Sequence, residues 1–193
     1  MEIFLCNINK QELKPNSLEI SRRLQTPKNY SSELTEKIYS GLMEAAQPKG
    51  CFVEVGVTIS GNVADFGFAK VKSADLCKNL AGCRRAYLMA VTLGAQTDRY
   101  IKRLEVVSCA EAFVADALAS AMAESAADFV NDVLKQKNSL RPRFSPGYGD
   151  LDLSAQTSFL EALNADRLIG IKLSEKLIMT PEKSITAVCG IVN

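Results

Sequence analysis

The sequence predicts an α+β domain in which a mixed, mainly antiparallel sheet packs against a long alanine-rich helix and several shorter helices. Three observations predict it: an alternating strand pattern comes early, an unbroken helical stretch fills the middle, and further strand patterns close the chain. Grouped strands and helices are typical of α+β proteins, whereas regular βαβ repeats alternate them. A chain of 193 residues can bury one sizeable core, so residues 1–193 are expected to form a single domain.

The first third of the chain holds the clearest strand pattern. A short strand is expected near residues 3–5 and, after a polar segment, a helix over 33–46 capped by Ser31 or Ser32. Residues 53–59 alternate apolar and polar side chains, and a Gly-Asn turn separates them from a second alternating stretch at 64–68. This pattern predicts an antiparallel hairpin with one face in water.

The middle of the chain predicts a buried strand followed by helices. A serine-capped helix is expected over 73–80, and the nearly continuous apolar run 85–93 is typical of a central strand covered on both faces. Another helix is expected from about residue 97. A capping-box pattern at 108–111 then opens an alanine-rich helix to about residue 137, on the order of 40 Å long.

The last third begins with a loop rich in proline and glycine at 139–150. A helix is expected over 154–163, with a further turn near Asp166. Residues 170–179 and 184–192 then predict two strands joined across a Thr-Pro-Glu-Lys connection.

The charge balance and the N-terminus exclude several classes of protein. The 23 basic and 22 acidic side chains create no net field, so nucleic acid is not an expected partner. The N-terminus lacks the basic start and cleavage site of a secretory signal, and no apolar run is long enough for a membrane span. Six scattered cysteines without a Cys-x-x-Cys pair suggest reduced thiols. These features predict a cytoplasmic protein without a membrane partner.

The chain contains no histidine. This excludes Ser-His-Asp and Cys-His catalysis and histidine–metal sites. No carboxylate pair in the sequence shows the features of a general acid and base, so we assign no catalytic residue and no metal ligand.

The segment Arg143-Phe144-Ser145-Pro146-Gly147-Tyr148 concentrates unusual residues in a loop. A guanidinium group matches a carboxylate bidentately, a glycine lets the backbone approach a ligand, and a tyrosine offers a flat wall with a hydroxyl group. Arg143, Pro146, Gly147 and Tyr148 are therefore candidate binding residues for a small zwitterion. An ordinary structural turn is the alternative interpretation of this segment, because proline and glycine also mark plain turns.

Two further motifs, which lie downstream of this loop, support its interpretation as a binding site. The Arg-x-x-Pro-Gly-Tyr loop precedes Ile-Gly-Ile-Lys-Leu-Ser-Glu at 169–175 and Met-Thr-Pro-Glu-Lys-Ser at 179–184. Over about residues 139–191 this arrangement resembles the activation domain of cobalamin-dependent methionine synthase. Upstream, the resemblance depends mainly on the long alanine-rich helix.

The resemblance implies a stand-alone activation subunit that binds S-adenosylmethionine. Members of the family present its methyl group to a cobalamin that has been oxidised to the Co(II) state, while a flavodoxin-type donor supplies an electron. By this resemblance Arg143 would hold the ligand carboxylate, and Pro146, Gly147 and Tyr148 would shape the pocket wall. The cobalamin would lie on a partner methionine synthase chain, because this sequence has no Asp-x-His-x-x-Gly motif.

Departures from the family pattern leave two alternatives. The sequence ends before the family's last strand, and an ungapped match places Ser120 where the family's long helix has an acidic residue, with Glu124 one turn further on. The chain could therefore be a docking or stabilising subunit for a corrinoid protein that no longer binds S-adenosylmethionine. An unrelated enzyme with lysine or tyrosine as acid–base group is the second alternative, although no constellation of residues favours it.

Overall fold

A four-stranded antiparallel sheet forms the centre of the protein. The computed structural model describes residues 1–25 and 33–192, so the predicted caps Ser31 and Ser32 lie outside the described residues. The strands are β1 (Ile3–Asn7), β2 (Lys49–Gly56), β3 (Thr58–Ser60), β4 (Val63–Asp65), β5 (Lys70–Lys72), β6 (Arg85–Thr92), β7 (Lys172–Leu173), β8 (Met179–Thr180) and β9 (Ser184–Ile191). The main sheet has the order β1-β2-β6-β9, and each neighbouring pair is antiparallel. The predicted α+β fold class is confirmed.

Helices cover both faces of this sheet. They are α1 (Ser17–Leu24), α2 (Glu33–Ala45), α3 (Ala74–Asn79), α4 (Ala95–Val107), α5 (Cys109–Lys135), α6 (Ala155–Ala162) and α7 (Ala165–Ile169). Successive residues of β6 point to opposite faces: Met89 packs in the core beneath α2, α4 and α5, and Leu88 packs in the core beneath α3, α6 and α7. The apolar run of β6 is thus buried on both sides, as its sequence predicts. Within the described ranges, no helix is both long and apolar enough to cross a membrane.

The long helix α5 lies directly on the sheet because its inner face is made of small side chains. Ser108 caps it, with its hydroxyl oxygen accepting a hydrogen bond from the Glu111 N–H at 3.3 Å, as the capping-box pattern predicts. Ala119 and Ala126 are fully buried against the strands. Gly50 of β2 completes this close approach, since a Cβ atom there would lie 2.9 Å from a methyl group of Val130.

The early hairpin is only partly as predicted. Residues 53–56 belong to the main sheet, and the chain then leaves it, so that β3 pairs with β4 in a separate three-stranded sheet with β5. The alternating sequence pattern does not reveal that the chain leaves the main sheet, because Val53, Val55 and Val57 are all buried in the same core. The hairpin register Ile59↔Ala64 agrees with the predicted turn.

The predicted strand over 170–179 is wrong. Only the two-residue strands β7 and β8 form there, and they pair with each other. Gly170 adopts a left-handed conformation with φ of 78°, and Leu177 does so with φ of 59°, which interrupts extended structure. The helix α1 and the strand β5 do not follow from the sequence analysis. The predicted strand over 184–192 corresponds to β9.

Candidate functional site

The loop that carries the candidate residues extends the main sheet beyond its β9 edge. We call residues 139–154 the site loop. The Arg141 N–H donates to the Gly190 carbonyl at 2.8 Å, and Phe144 and Val188 exchange two backbone hydrogen bonds of 2.9 Å each. The backbone at Arg143 is thereby held in register beside the edge strand β9.

Asp150 attaches the other end of the site loop to α3. Its carboxylate accepts hydrogen bonds from the hydroxyl group of Ser73, from the Ala74 N–H at 2.7 Å and from the Asp75 N–H at 3.1 Å. The hydrogen bond from Ser73, followed by the one from Ala74, lowers the pKa of Asp150 below its ordinary value. The loop is therefore anchored to the sheet at one end and to a helix at the other.

The Pro-Gly-Tyr segment forms a compact turn between these anchors. The Gly147 N–H donates to the Leu151 carbonyl at 2.8 Å, and the Tyr148 N–H donates to the Ser145 carbonyl at 3.1 Å. Gly147 has a φ of 89°, a conformation that glycine adopts without strain. Gly147 thus shapes the turn, and its N–H is already engaged within it.

A cavity of about 530 Å³ opens beside this turn. It lies within the usual size range of small-molecule sites, which is roughly 300–1,000 Å³. Its lining residues are Asn79, Glu124, Pro142, Arg143, Phe144, Ser145, Pro146, Tyr148, Gln156, Met179, Ser184, Ile185 and Thr186. The structure thus brings Arg143, Pro146 and Tyr148 together at one cavity and leaves Gly147 outside its lining. Tyr148 is 64% exposed.

The guanidinium group of Arg143 is only partly satisfied. Its Nη2 atom lies 2.8 Å from the Asp128 carboxylate and 3.2 Å from that of Glu124, both on α5. Its Nη1 atom is buried and has no hydrogen-bond partner among the residues that the structure describes. A buried donor without a protein partner is unfavourable by about 1–3 kcal/mol, so an acceptor that reached Nη1 would stabilise this group.

Glu124 is the acidic side chain of α5 that lines the cavity. Burial raises its pKa, the nearby Arg143 guanidinium opposes this effect, and Glu19 and Asp128 add to it. Ser120, at the position that the ungapped match indicates, lies outside the cavity lining, and the Lys183 ammonium donates to its hydroxyl oxygen at 3.1 Å. The structure therefore places Glu124 beside Arg143, one turn beyond the matched position.

Several polar residues of the cavity are absent from the sequence-based site. Gln156 and Thr186 are both nearly fully buried, and a hydrogen bond of 3.4 Å joins their side chains. Asn79 donates to the Pro142 carbonyl at 3.3 Å. One feature of the sequence could have indicated these polar lining residues: Ser184 and Thr186 are polar residues in a strand that is otherwise apolar and buried.

The thiols and carboxylates of the described ranges form no cluster of three or more that could hold a metal ion. Burial raises the pKa of Cys51 and that of Cys189 to about 12 each, so both thiols remain protonated at neutral pH. The cavity's chemistry is therefore that of its arginine, its glutamate and its neutral polar groups.

The fold of the chain is similar to that of a known protein domain. No family model and no curated protein matches the chain. Among solved structures, the chain is similar to the crystal structure of the MetH reactivation domain bound to AdoHcy, with a TM-score of 0.75. The alignment covers 99% of this chain and 78% of that chain at 12% sequence identity. At this identity the likeness establishes the fold: the chain is folded like the MetH reactivation domain.

Proposed function

We propose that the protein binds S-adenosylmethionine in the cavity beside Arg143 and serves as an activation subunit for a cobalamin-binding methionine synthase chain. The observation that carries this proposal is the guanidinium group of Arg143, which lines a cavity of about 530 Å³ next to the Glu124 carboxylate and has a buried, unpartnered Nη1 atom. The structural neighbour is a reactivation domain bound to AdoHcy, which supports a ligand of the same class.

Arg143 is suited to the carboxylate of the ligand. The Asp128 side chain that occupies Nη2 is 65% exposed, so it can turn away from Nη2 at little energetic expense. A ligand carboxylate in its place would meet both terminal nitrogens of the fork, including the one that lacks a partner. Bidentate pairs of this kind are stronger and more directional than single contacts.

Glu124 is suited to the ammonium group of the ligand. Its side chain is one-third exposed, and its carboxylate lies 3.2 Å from Arg143 Nη2. The cavity therefore has a negative and a positive group next to each other, as the binding of a zwitterion requires. Phe144, Pro146 and Tyr148 give the cavity an apolar wall for the adenosine part. The site loop thus combines the contacts that an adenosylated amino acid needs.

The protein itself would contribute position rather than acid–base chemistry. Cobalamin held by the partner chain would supply the nucleophile for the methyl group, and the demethylated ligand would be released as a thioether. A flavodoxin-like donor would supply the electron that the resemblance implies. Fixing two reactants in a productive geometry can lower a barrier by roughly 7–11 kcal/mol, so no catalytic side chain is required of this chain.

A docking subunit without ligand binding is the second candidate function. The observation in its favour is that Arg143 already has two carboxylate partners, Glu124 and Asp128. In that case the guanidinium group would be a structural link between α5 and the site loop, and the cavity would stay empty.

Calorimetric titration with S-adenosylmethionine separates the two candidates. We expect saturable one-to-one binding to the unaltered protein and a loss of at least roughly 100-fold in affinity for Arg143→Ala, since hydrogen bonds to charged groups contribute about 1.5–3 kcal/mol and two are removed. Arg141→Ala is the matched control, because Arg141 lies on the same loop outside the cavity lining and donates to the Ala81 carbonyl. Absence of binding to the unaltered protein, with the partner chain present or absent, would favour the docking subunit.

A further inference from the structure

The charges beside the cavity do not balance. Arg143 contributes one positive charge, and its two partners, Glu124 and Asp128, contribute two negative charges. Glu124 and Arg143 are the charged residues of the cavity lining, and Asp128 is joined to them through a contact of 2.8 Å. This cluster therefore carries one uncompensated negative charge at neutral pH.

Among the residues that the structure describes, the neighbouring charges do not supply the missing cation. Glu19 and Arg23, which also act on Glu124, pair with each other at 2.8 Å. Elsewhere on α5, Asp116 pairs with Lys183 at 2.6 Å, and Asp132 pairs with Lys135 at 3.0 Å. Each of these pairs is neutral as a whole. Within residues 1–25 and 33–192, the excess negative charge thus stays with Glu124, Asp128 and Arg143.

The ligand proposed above exists in two charge states. Its amino-acid part is a zwitterion with no net charge. The methylated ligand adds a positive sulfonium, whereas the demethylated ligand carries a neutral thioether. When Arg143 binds the ligand carboxylate and Glu124 binds the ligand ammonium group, the negative charge of Asp128 is left without a partner. Of the ligand's groups, only the sulfonium can balance that charge.

We infer that Asp128 makes the cavity selective for the sulfonium form of the ligand over its thioether product. The inference rests on the proposed function and extends it. The cavity would bind the methyl donor more tightly than the demethylated product, and the product would therefore dissociate more readily. Asp128 is thus a specificity-determining residue on α5, outside the site loop that the sequence motif identifies.

The expected selectivity is moderate. Asp128 is 65% exposed, and interactions of exposed charges are weakened by water and salt. We expect S-adenosylmethionine to bind roughly 3- to 10-fold more tightly than S-adenosylhomocysteine at low ionic strength. The difference should shrink at 0.5 M salt, where the screening length is only about 4 Å.

The test is a pair of titrations, one with each ligand, on the unaltered protein, on Asp128→Asn and on Asp132→Asn. The readout is the ratio of the two dissociation constants. We expect this ratio to fall to within roughly twofold of unity in Asp128→Asn, because the uncompensated charge has been removed. Asp132→Asn should keep the original ratio, since Asp132 lies one turn further along α5 and pairs with Lys135.

The outcomes distinguish this inference from the proposed function. If both ligands bind but with equal affinities, or if Asp128→Asn leaves the ratio unchanged, the selectivity role of Asp128 is wrong and the binding site stands. If neither ligand binds, the proposed function fails and the inference fails with it.

Discussion

Glu124 is the residue at which the stability of the fold and the proposed ligand binding oppose each other. Burial raises its pKa above the ordinary value of 4.5 more than Arg143 lowers it. A carboxyl group whose pKa is raised on folding stabilises the folded state while it is protonated, and this contribution is lost as the pH rises through the folded-state pKa. At neutral pH the ionised Glu124 is therefore less favourable for folding than a neutral side chain of the same shape.

We predict that Glu124→Gln has a melting temperature at pH 7 equal to or above that of the unaltered protein. The difference should disappear below about pH 4, where both side chains are neutral. The same substitution should weaken S-adenosylmethionine binding by roughly 10-fold or more, because the ammonium group loses a charged acceptor. The affinity of the unaltered protein should also fall as the pH is lowered through the pKa of Glu124, and that of Glu124→Gln should not.

Glu105→Gln on the exposed face of α4 is the control for these measurements. It should change neither the melting temperature nor the affinity for S-adenosylmethionine. A Glu124→Gln protein that binds S-adenosylmethionine as tightly as the unaltered protein would show that this carboxylate does not contact the ligand.

At the level of single residues, the sequence indicates one wall of the cavity and not the others. Arg143, Pro146 and Tyr148 stand out because they are close together in a segment without helical or strand periodicity. Asn79 and Gln156 look ordinary in the sequence. Asn79 meets the site loop at Pro142, 63 positions along the chain, and only the packing of α3 against that loop brings them together.

The site loop is the structural element that connects the cavity to the rest of the fold, and Asp150 is its link to α3. The carboxylate stabilises the N-terminal end of α3 and fixes the end of the loop that follows Tyr148. Its pKa is lowered by these hydrogen bonds, so its stabilising effect is present above the unfolded-state pKa and is lost as the pH falls.

We predict that Asp150→Ala lowers the melting temperature at pH 7 and weakens S-adenosylmethionine binding, because the loop loses one of its two anchors. The difference in melting temperature should narrow as the pH falls toward 3. Asp152→Ala is the matched control, since Asp152 accepts a hydrogen bond from the Ser154 N–H inside the loop and does not reach α3. If both variants bind the ligand equally well, the anchor does not position the site.

The elements that the sequence does not predict share a physical cause. The helix α1 has only eight residues, and its cap, in which Asn16 accepts from the Leu18 N–H at 2.9 Å, follows a proline in a polar segment. Such a short helix gains most of its stability from packing on α5 and little from its own propensity. Between β7 and β8, a turn from Ser174 to Ile178 interrupts a run whose β-branched and apolar residues suggest one strand.

On the scale of the whole molecule, one sheet serves two apolar cores. Leu88 and Ala126 are both fully buried, Leu88 in the core beneath α3 and Ala126 in the core beneath α5. Because β6 contributes to both cores, neither can be lost while the other keeps its packing. The prediction of a single domain therefore becomes a prediction of a single cooperative unfolding transition.

Two substitutions, one in each core, test this prediction. Leu88→Ala leaves a cavity and should reduce the free energy of unfolding by about 2–5 kcal/mol, and Ala126→Leu overfills the interface of α5 with the sheet and should reduce it by about 1–3 kcal/mol. In urea titrations each of these two substitutions should move a single unfolding transition to a lower urea concentration. Ala110→Leu, at an exposed position of α5, should change the free energy by less than about 0.5 kcal/mol. Two transitions, of which each core variant moves only one, would contradict a single domain.

The sheet, its two cores and the two anchors of the site loop together hold Arg143 and Glu124 side by side at the cavity. A crystal structure of the protein grown with S-adenosylhomocysteine examines this arrangement most directly. We predict electron density for the ligand in the cavity, with its carboxylate within hydrogen-bond distance of Arg143 Nη1, its ammonium group on Glu124, and Asp128 turned away from Nη2. An empty cavity at saturating ligand, with Arg143 still held by both carboxylates, would contradict the account.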